Sequence, residues 1–205
     1  MQYTYNYAQP EEYKFSLDSV LLAKEVADRF VSHIQDADLK VLDLCAGCGV
    51  VGFDFNFHRP LVKNIDFLEL QEAYLPFFNK NLEITQKRYQ LVIDNYKNQI
   101  PSKNKYDLII SNPPYFKPGQ GKYSPSEFKN RCRFFLDASF AEFLEFIISA
   151  LDKAGAAYFL IRRLDEHGWD QFMEMHQMLN GRAKAQVIAD VRGTDLIKLE
   201  LCDHE

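Results

Sequence analysis

No stretch of this 205-residue chain approaches the ~18 consecutive apolar residues that mark a membrane-spanning helix. The opening, MQYTYNYAQPEEYKF, lacks the basic start and apolar run of a secretory signal. The expected compartment is therefore the cytoplasm. Cysteine is sparse: Cys132 and Cys202 stand apart, and only Cys45 and Cys48 form a C-x-x-C. The second C-x-x-C or histidine pair that would complete a zinc site is missing, so no metal is expected. At this point Cys45 and Cys48 are either a redox pair or two small residues in a tight bend. Positive charge is not in excess: 24 Lys and Arg face 29 Asp and Glu, for a net charge of −5. That weighs against a protein that coats nucleic acid nonspecifically and leaves room for a local basic patch. Repeats, low-complexity tracts and Gly/Ser linkers are absent, and the length suits one compact domain, 1–205.

What is present is an alternation of short β-branched runs with amphipathic segments, the pattern of an α/β fold with a mainly parallel sheet. A helix is expected over Ser16–Ile34, with Leu17, Val20, Leu21, Ala23, Val26, Ala27 and Phe30 on one face and Ser16 as its cap. Strands are expected at Lys40–Cys45, Ile65–Leu70, Tyr89–Ile93, Tyr106–Ser111 and Ala156–Ile161, and further helices at Gln71–Ile84, Asp137–Leu151 and Trp169–Leu179. A short helix fills the interval between the first two strands, and a polar loop is read from Tyr115 to Phe134. The runs Ala185–Val191 and Leu196–Leu201, joined by RGTD, read as a C-terminal antiparallel hairpin. Together these elements describe a seven-stranded doubly wound sheet.

The run Val41-Leu-Asp-Leu-Cys-Ala-Gly-Cys-Gly-Val50 takes a buried strand into small residues and then a helix. Gly47 and Gly49 let backbone approach a ligand closely, and the helix start presents free N–H groups. Asp43 sits on the strand itself, and in this it resembles the acid that in S-adenosylmethionine enzymes supports the turn and the amino-acid end of the ligand. Cys45 belongs to the same turn. A glycine-rich turn alone is a weak signal, but Glu69 ends the next strand, where an acid accepts both ribose hydroxyls. Asp94 ends the third and is placed to receive an adenine amino group. Leu70 and Asn95 adjoin these acids. Glu69 has an ordinary alternative as a solvated strand-end glutamate, and Asp94 as a turn aspartate before Asn95.

The fourth strand runs into Asn112-Pro113-Pro114-Tyr115. Such a tetrapeptide arises by chance in a chain of this length about once in a thousand sequences. Its chemistry is specific. An aromatic or amide NH2 is a poor nucleophile because its lone pair is delocalised. The Asn112 side-chain carbonyl and the Pro113 backbone carbonyl are two acceptors for its two hydrogens. Pro114 stiffens the turn, and Tyr115 offers a face for a flat substrate to stack on. Orientation carries most of the rate, so no strong general base is required. The alternative is a rigid surface turn.

The two motifs and their spacing resemble the class I S-adenosylmethionine-dependent methyltransferases of the NPPY branch, over about Leu39 to Ile161. The run Tyr13-Lys-Phe-Ser-Leu-Asp-Ser-Val-Leu-Leu-Ala23 resembles the opening of bacterial tRNA(Val) adenine methyltransferases. The stretch Ser124-Pro-Ser-Glu-Phe-Lys-Asn-Arg-Cys-Arg133 resembles their basic segment after NPPY. The resemblance implies a Rossmann-like core over 39–205 and a segment over 1–38 that covers the cofactor, with Phe15, Asp18 and Leu21 at its methionine end. It also implies methylation of an adenine amino group in tRNA. The chain departs from the family at Cys45, where glycine is usual, and at Leu160-Ile161-Arg162-Arg163, which ends the fifth strand.

The expected partner is RNA, tRNA first, bound by Pro114, Tyr115, Lys117, Lys129, Arg131 and Arg133, with Lys122, Arg162 and Arg163 nearby. The same lysines and arginines also suit an ordinary solvated loop. A protein glutamine amide, as in release-factor methylation, is the second choice; the roughly 38 residues before the first strand weigh against it. DNA adenine, rRNA and guanine amines follow, and a non-catalytic RNA-binding copy of the fold belongs to a different class. A monomer or weak homodimer is expected. The alternating Tyr3, Tyr5, Tyr7 and Tyr13 either stack bases or, preferably, pack on the domain edge.

Overall fold

The computed structural model describes residues 4–98, 106–162 and 168–202. Among them, seven strands form one sheet in the order β3-β2-β1-β4-β5-β7-β6. Strands β1 (Lys40–Leu44), β2 (Asn64–Glu69), β3 (Leu91–Ile93), β4 (Tyr106–Ser111) and β5 (Leu151–Ile161) run parallel. Strand β7 (Asp195–Leu201) lies antiparallel between β5 and β6 (Ala183–Asp190). This is the Rossmann-like arrangement with a reversed C-terminal hairpin that the apolar pattern implies.

Alternate strand residues serve opposite faces. Val41, Ile65, Phe67, Leu108, Ile110, Tyr158 and Leu160 pack with residues of α1 (Leu17–Arg29), α2 (Val50–His58) and α3 (Leu75–Thr85). Leu42, Leu44, Leu68, Ile109, Phe159 and Ile161 pack beneath α5 (Phe140–Ala150) and α6 (Gln171–Leu179). With both faces covered, the central strands are nearly continuously apolar in sequence. Each fully buried Leu, Ile or Phe there contributes roughly 1.5–3 kcal/mol of transfer free energy.

Several boundaries differ from the sequence-based expectation. The Ser16 hydroxyl caps α1 as expected, but the helix stops at Arg29 because Phe30 is extended. Its core face uses fully buried Leu22, whereas Leu21 is only half-buried. The expected helix from Gln71 begins as a 3-10 turn, Glu72–Tyr74, because Pro76 sets the start of α3. The stretch read as a loop contains α4 (Glu127–Arg133), capped by Ser126. Strand β5 starts five residues before Ala156: Leu151 already pairs with Tyr106, and an irregularity follows before Leu108 joins Ala156. Helix α5, expected from Asp137 to Leu151, is correspondingly shorter and starts in a Ser139–Glu142 capping box. Among the described residues no helix is long and apolar enough to cross a membrane.

Candidate active site

The parallel strands deliver their carboxyl ends to one edge of the sheet, and the chain order reverses between β1 and β4, the position where open α/β sheets bind ligands. A cleft of about 1190 Å³, including its open mouth, lies there. Cys45, Ala46, Gly47 and Cys48 follow β1, Glu69 ends β2, Asp94 and Asn95 follow β3, and the Asn112–Tyr115 tetrapeptide follows β4; all of them line it.

The turn after β1 is built from left-handed residues. Cys45, Gly47 and Gly49 have φ of 61°, 55° and 84°. Gly49 caps α2, and a Cβ there would sit 2.5 Å from the Phe53 ring and 2.8 Å from Phe78. Glycine is needed at Gly49 both for its φ and for this close approach. Glu69 fastens the turn to β2: its Oε2 accepts from Gly47 N and its Oε1 from Gln71 N, both at 2.8 Å. Asp43 lies below the turn rather than in the cleft. Its Oδ2 accepts from Gly52 N at 2.8 Å, and its Oδ1 is buried without a partner.

Burial pushes the Asp43 carboxyl up to about 8, against the lowering effect of its bond from Gly52 N. Burial also raises Glu69, although backbone N–H groups of Gln71, Gly47 and Leu70 act the other way. Among the described residues neither acid has a salt-bridge partner. Of the two acids only Glu69 lines the cleft, and a buried acid without a cation, beside a left-handed glycine turn, fits a ligand that carries positive charge and hydroxyl groups. S-adenosylmethionine has both. The cysteines of the turn are free thiols. Burial raises Cys45 and takes Cys48 up to about 12, which leaves little thiolate for redox chemistry at neutral pH.

The NPPY turn is fixed to the glycine turn through the sheet. Ser111 Oγ, buried at the end of β4, donates to Leu44 O at 2.6 Å at the end of β1. Both hydrogen-bonding ends of the next side chain are engaged: Asn112 Nδ2 donates to Ser19 Oγ at 3.1 Å, and Asn112 Oδ1 accepts from Tyr115 OH at 2.5 Å. Pro113 and Pro114 line the cleft beside them. The Tyr115 and Phe116 amides both donate to Arg133 O, which closes the loop that carries α4. Cys132 on α4 meets Tyr74 OH at 3.2 Å and Gln71 Nε2 at 3.3 Å, so α4 is held over the cofactor side of the cleft.

The residues before α1 cross the same region. Asn81, buried on α3, bonds both backbone groups of Ala8 and also donates to Cys48 O at 2.9 Å, which joins this strap to the glycine turn. Tyr7 OH donates to buried Asp54 at 2.7 Å, and Tyr5 packs edge-on against Tyr7 and Phe57. Tyr13, Phe15, Ser16 and Ser19 reach the cleft. Tyr5 and Tyr7 thus pack, whereas Tyr13 is a cleft residue; Tyr3 lies outside the described residues.

Other residues singled out in the sequence, Arg131 apart, lie elsewhere. Asp18 is turned toward Arg192, 3.2 Å away, and does not line the cleft. Lys117 Nζ is 2.5 Å from Glu174 Oε2 and stands over the Trp169 ring. Arg133 lies over the Phe116 and Phe134 rings. Arg131 reaches the cleft while pairing with Glu127 and Asp137 at 3.0 and 3.6 Å. Lys129, half-buried on α4, does not line it, and Arg163 lies outside the described residues. Of the expected basic rim, Lys117 and Arg131 are thus paired with carboxylates of the protein itself. The cleft residues that sequence reasoning missed are chiefly Ser19, Gln71, Tyr74 and Tyr96, brought in by packing between distant elements.

Comparison with known proteins agrees with this geometry. The methyltransferase small domain profile matches residues 17–128. A tRNA1(Val) (adenine(37)-N6)-methyltransferase of Proteus mirabilis is 36% identical over 83 residues, covering 38% of this chain and 32% of that protein. A release factor glutamine methyltransferase of Neisseria gonorrhoeae is 27% identical over 169 residues, covering 78% of this chain and 59% of that protein. The chain thus spans less than two thirds of either relative. The ribosomal protein L11 methylase structure from Lactobacillus delbrueckii shares the fold, with a TM-score of 0.63 at 14% identity, over 92% of this chain and 80% of that one. With more than half its length matched by the family profile and a class I fold around the cleft, the chain belongs to the methyltransferase small domain family.

Proposed function

We propose that this protein methylates the exocyclic amino nitrogen of adenine in RNA, with tRNA as the substrate. One observation carries the reading: the Asn112 carboxamide and the Gly47–Glu69 turn line one cleft, held together by the Ser111–Leu44 bond between adjacent strand ends. In this reading Glu69 accepts the ribose hydroxyls of S-adenosylmethionine, Asp94 and Asn95 take its adenine end, and Phe15 with the preceding strap covers it. The bound cofactor supplies an electrophilic methyl group on a sulfonium.

The chain's own residues orient the amine. Asn112 Oδ1 and the Pro113 carbonyl accept its two hydrogens and favour a pyramidal nitrogen. Tyr115 and Tyr13 flank the flat acceptor, and the proton leaves to water. The Proteus mirabilis relative supports adenine in tRNA, since its name gives that substrate. Glutamine amide is the second reading, favoured by the longer match to the release factor enzyme.

Labelled S-adenosylmethionine incubated separately with total tRNA, rRNA, DNA and release factor protein, followed by nucleoside and amino-acid analysis, tests the choice. N6-methyladenosine from tRNA is expected. Label in glutamine alone would overturn it. Asn112→Ala should keep cofactor affinity and lose transfer, and equal turnover would remove Asn112 from the mechanism.

A further inference from the structure

We infer that Ser19 is a positioning residue for Asn112: from α1 it fixes which end of the carboxamide meets the incoming amine. The inference rests on the amine-gripping role proposed for Asn112. A primary amide keeps nearly the same shape when it flips by 180°, and its hydrogen-bond partners decide which end is carbonyl. The choice matters here because the flipped amide would turn N–H groups toward an NH2 and repel it.

The two partners of Asn112 differ in character. Tyr115 is a phenol, a strong donor and a weak acceptor; Ser19 is an aliphatic hydroxyl, the better acceptor of the two. The observed pairing, Tyr115 OH to Oδ1 at 2.5 Å and Nδ2 to Ser19 Oγ at 3.1 Å, matches each end to the hydroxyl that suits it. It also leaves the second lone pair of Oδ1 for the substrate.

Ser19 and Tyr115 are not equivalent anchors. Tyr115 stands where a flat acceptor has to lie, and its hydroxyl has to give way if the ring is to stack on that acceptor. Ser19 sits in the first turn of α1, buried, with Ser16 capping the helix and its own amide donating to Ser16 O at 3.2 Å. It is 93 positions from Asn112 in sequence and lines the same cleft. Ser19 therefore still holds the amide when Tyr115 turns to the substrate. The serine two residues before the Leu21-Leu22-Ala23 run thereby gains a chemical role that its helical position does not require.

The test compares wild type with Ser19→Ala and Ser19→Thr in kcat and KM for tRNA methylation, in S-adenosylmethionine affinity by calorimetry, and in the Asn112 side-chain amide signals of a 15N spectrum, assigned by Asn112→Ala. Ser19→Ala should lower kcat about tenfold, as expected for one lost hydrogen bond on an orienting group. Cofactor affinity should stay within about twofold and the Asn112 amide pair should shift or broaden. Ser19→Thr, which keeps the hydroxyl, should restore both the rate and the amide signals. Unchanged amide signals in Ser19→Ala overturn the inference. So does a loss of melting temperature and cofactor affinity that threonine does not rescue, since that marks Ser19 as merely structural. If the wild-type protein methylates no amine at all, the proposed function fails and the role of Ser19 fails with it; the amide signals then record only the bond.

Discussion

Replacing Glu69 by glutamine isolates the contribution of one carboxylate to the cofactor turn. Both oxygens of Glu69 accept backbone N–H groups at 2.8 Å, one from Gly47 in the turn and one from Gln71 at the far side of the strand end. A carboxamide has a single acceptor atom. In Glu69→Gln one N–H is retained by a neutral bond and the other faces an NH2. Losing a charge-assisted hydrogen bond costs roughly 1.5–3 kcal/mol. If that cost falls on the cofactor-bound turn, affinity drops about 10- to 100-fold, at tenfold per ~1.4 kcal/mol. Thermal stability should move less, because the neutral amide escapes the burial that raises Glu69. Calorimetric titration with S-adenosylmethionine, paired with a melting curve, reads both effects. An affinity within about threefold of wild type would refute the claim that Glu69 organises the turn.

Three more substitutions probe the same edge. Burial raises Asp43 to about 8 in the folded protein, against an ordinary value near 4 in the unfolded chain, so the unfolded state gives up its proton first. Stability therefore falls as pH rises from ~4 to ~8 and levels off above that; Asp43→Asn should remove this component, and urea titrations with parallel pH profiles for the two proteins would contradict it. Gly49→Ala forces a side chain into a left-handed residue 2.5 Å from Phe53; a loss of about 2–4 kcal/mol is expected by denaturant titration, and a loss under ~1 kcal/mol would contradict the close approach. Asn81→Ala removes the bonds that join Ala8 to Cys48 O. It should speed proteolysis of the strap before α1 and weaken cofactor affinity about three- to tenfold, and an unchanged cleavage pattern would show the strap to be held by other contacts.

The legible parts of the sequence were those set by local pattern. Strand β4 matches its expected bounds, and β1 falls one residue short because Cys45 is already left-handed. Asn112 and Glu69 could be found because strand order carries them to one edge, and the strands are encoded by apolar runs. Helix α4 was missed because its seven residues, EFKNRCR, carry no apolar periodicity; the Ser126 cap and the Cys132–Tyr74 contact define it instead. The early start of β5 was hidden by Gly155, whose absent side chain admits the carbonyls of Tyr106 and Asp107, 2.9 Å from where a Cβ would lie. The pairing of Lys117 is hidden for a non-local reason: Glu174 on α6 claims Lys117 and the Trp169 indole together, across 57 and 5 positions of sequence. No window of sequence reports such a pairing.

The reversal of β7 has a mechanical consequence. Because Asp195 pairs with Ile161, the turn joining β6 to β7 emerges beside the cleft rather than at the opposite end of the sheet. Arg192 at that turn reaches Asp18, one residue from Ser19 and 174 positions upstream. A peptide inserted at Gly193, or a cut there, would thus act first on the Arg192–Asp18 pair, at the start of the helix that carries Ser19.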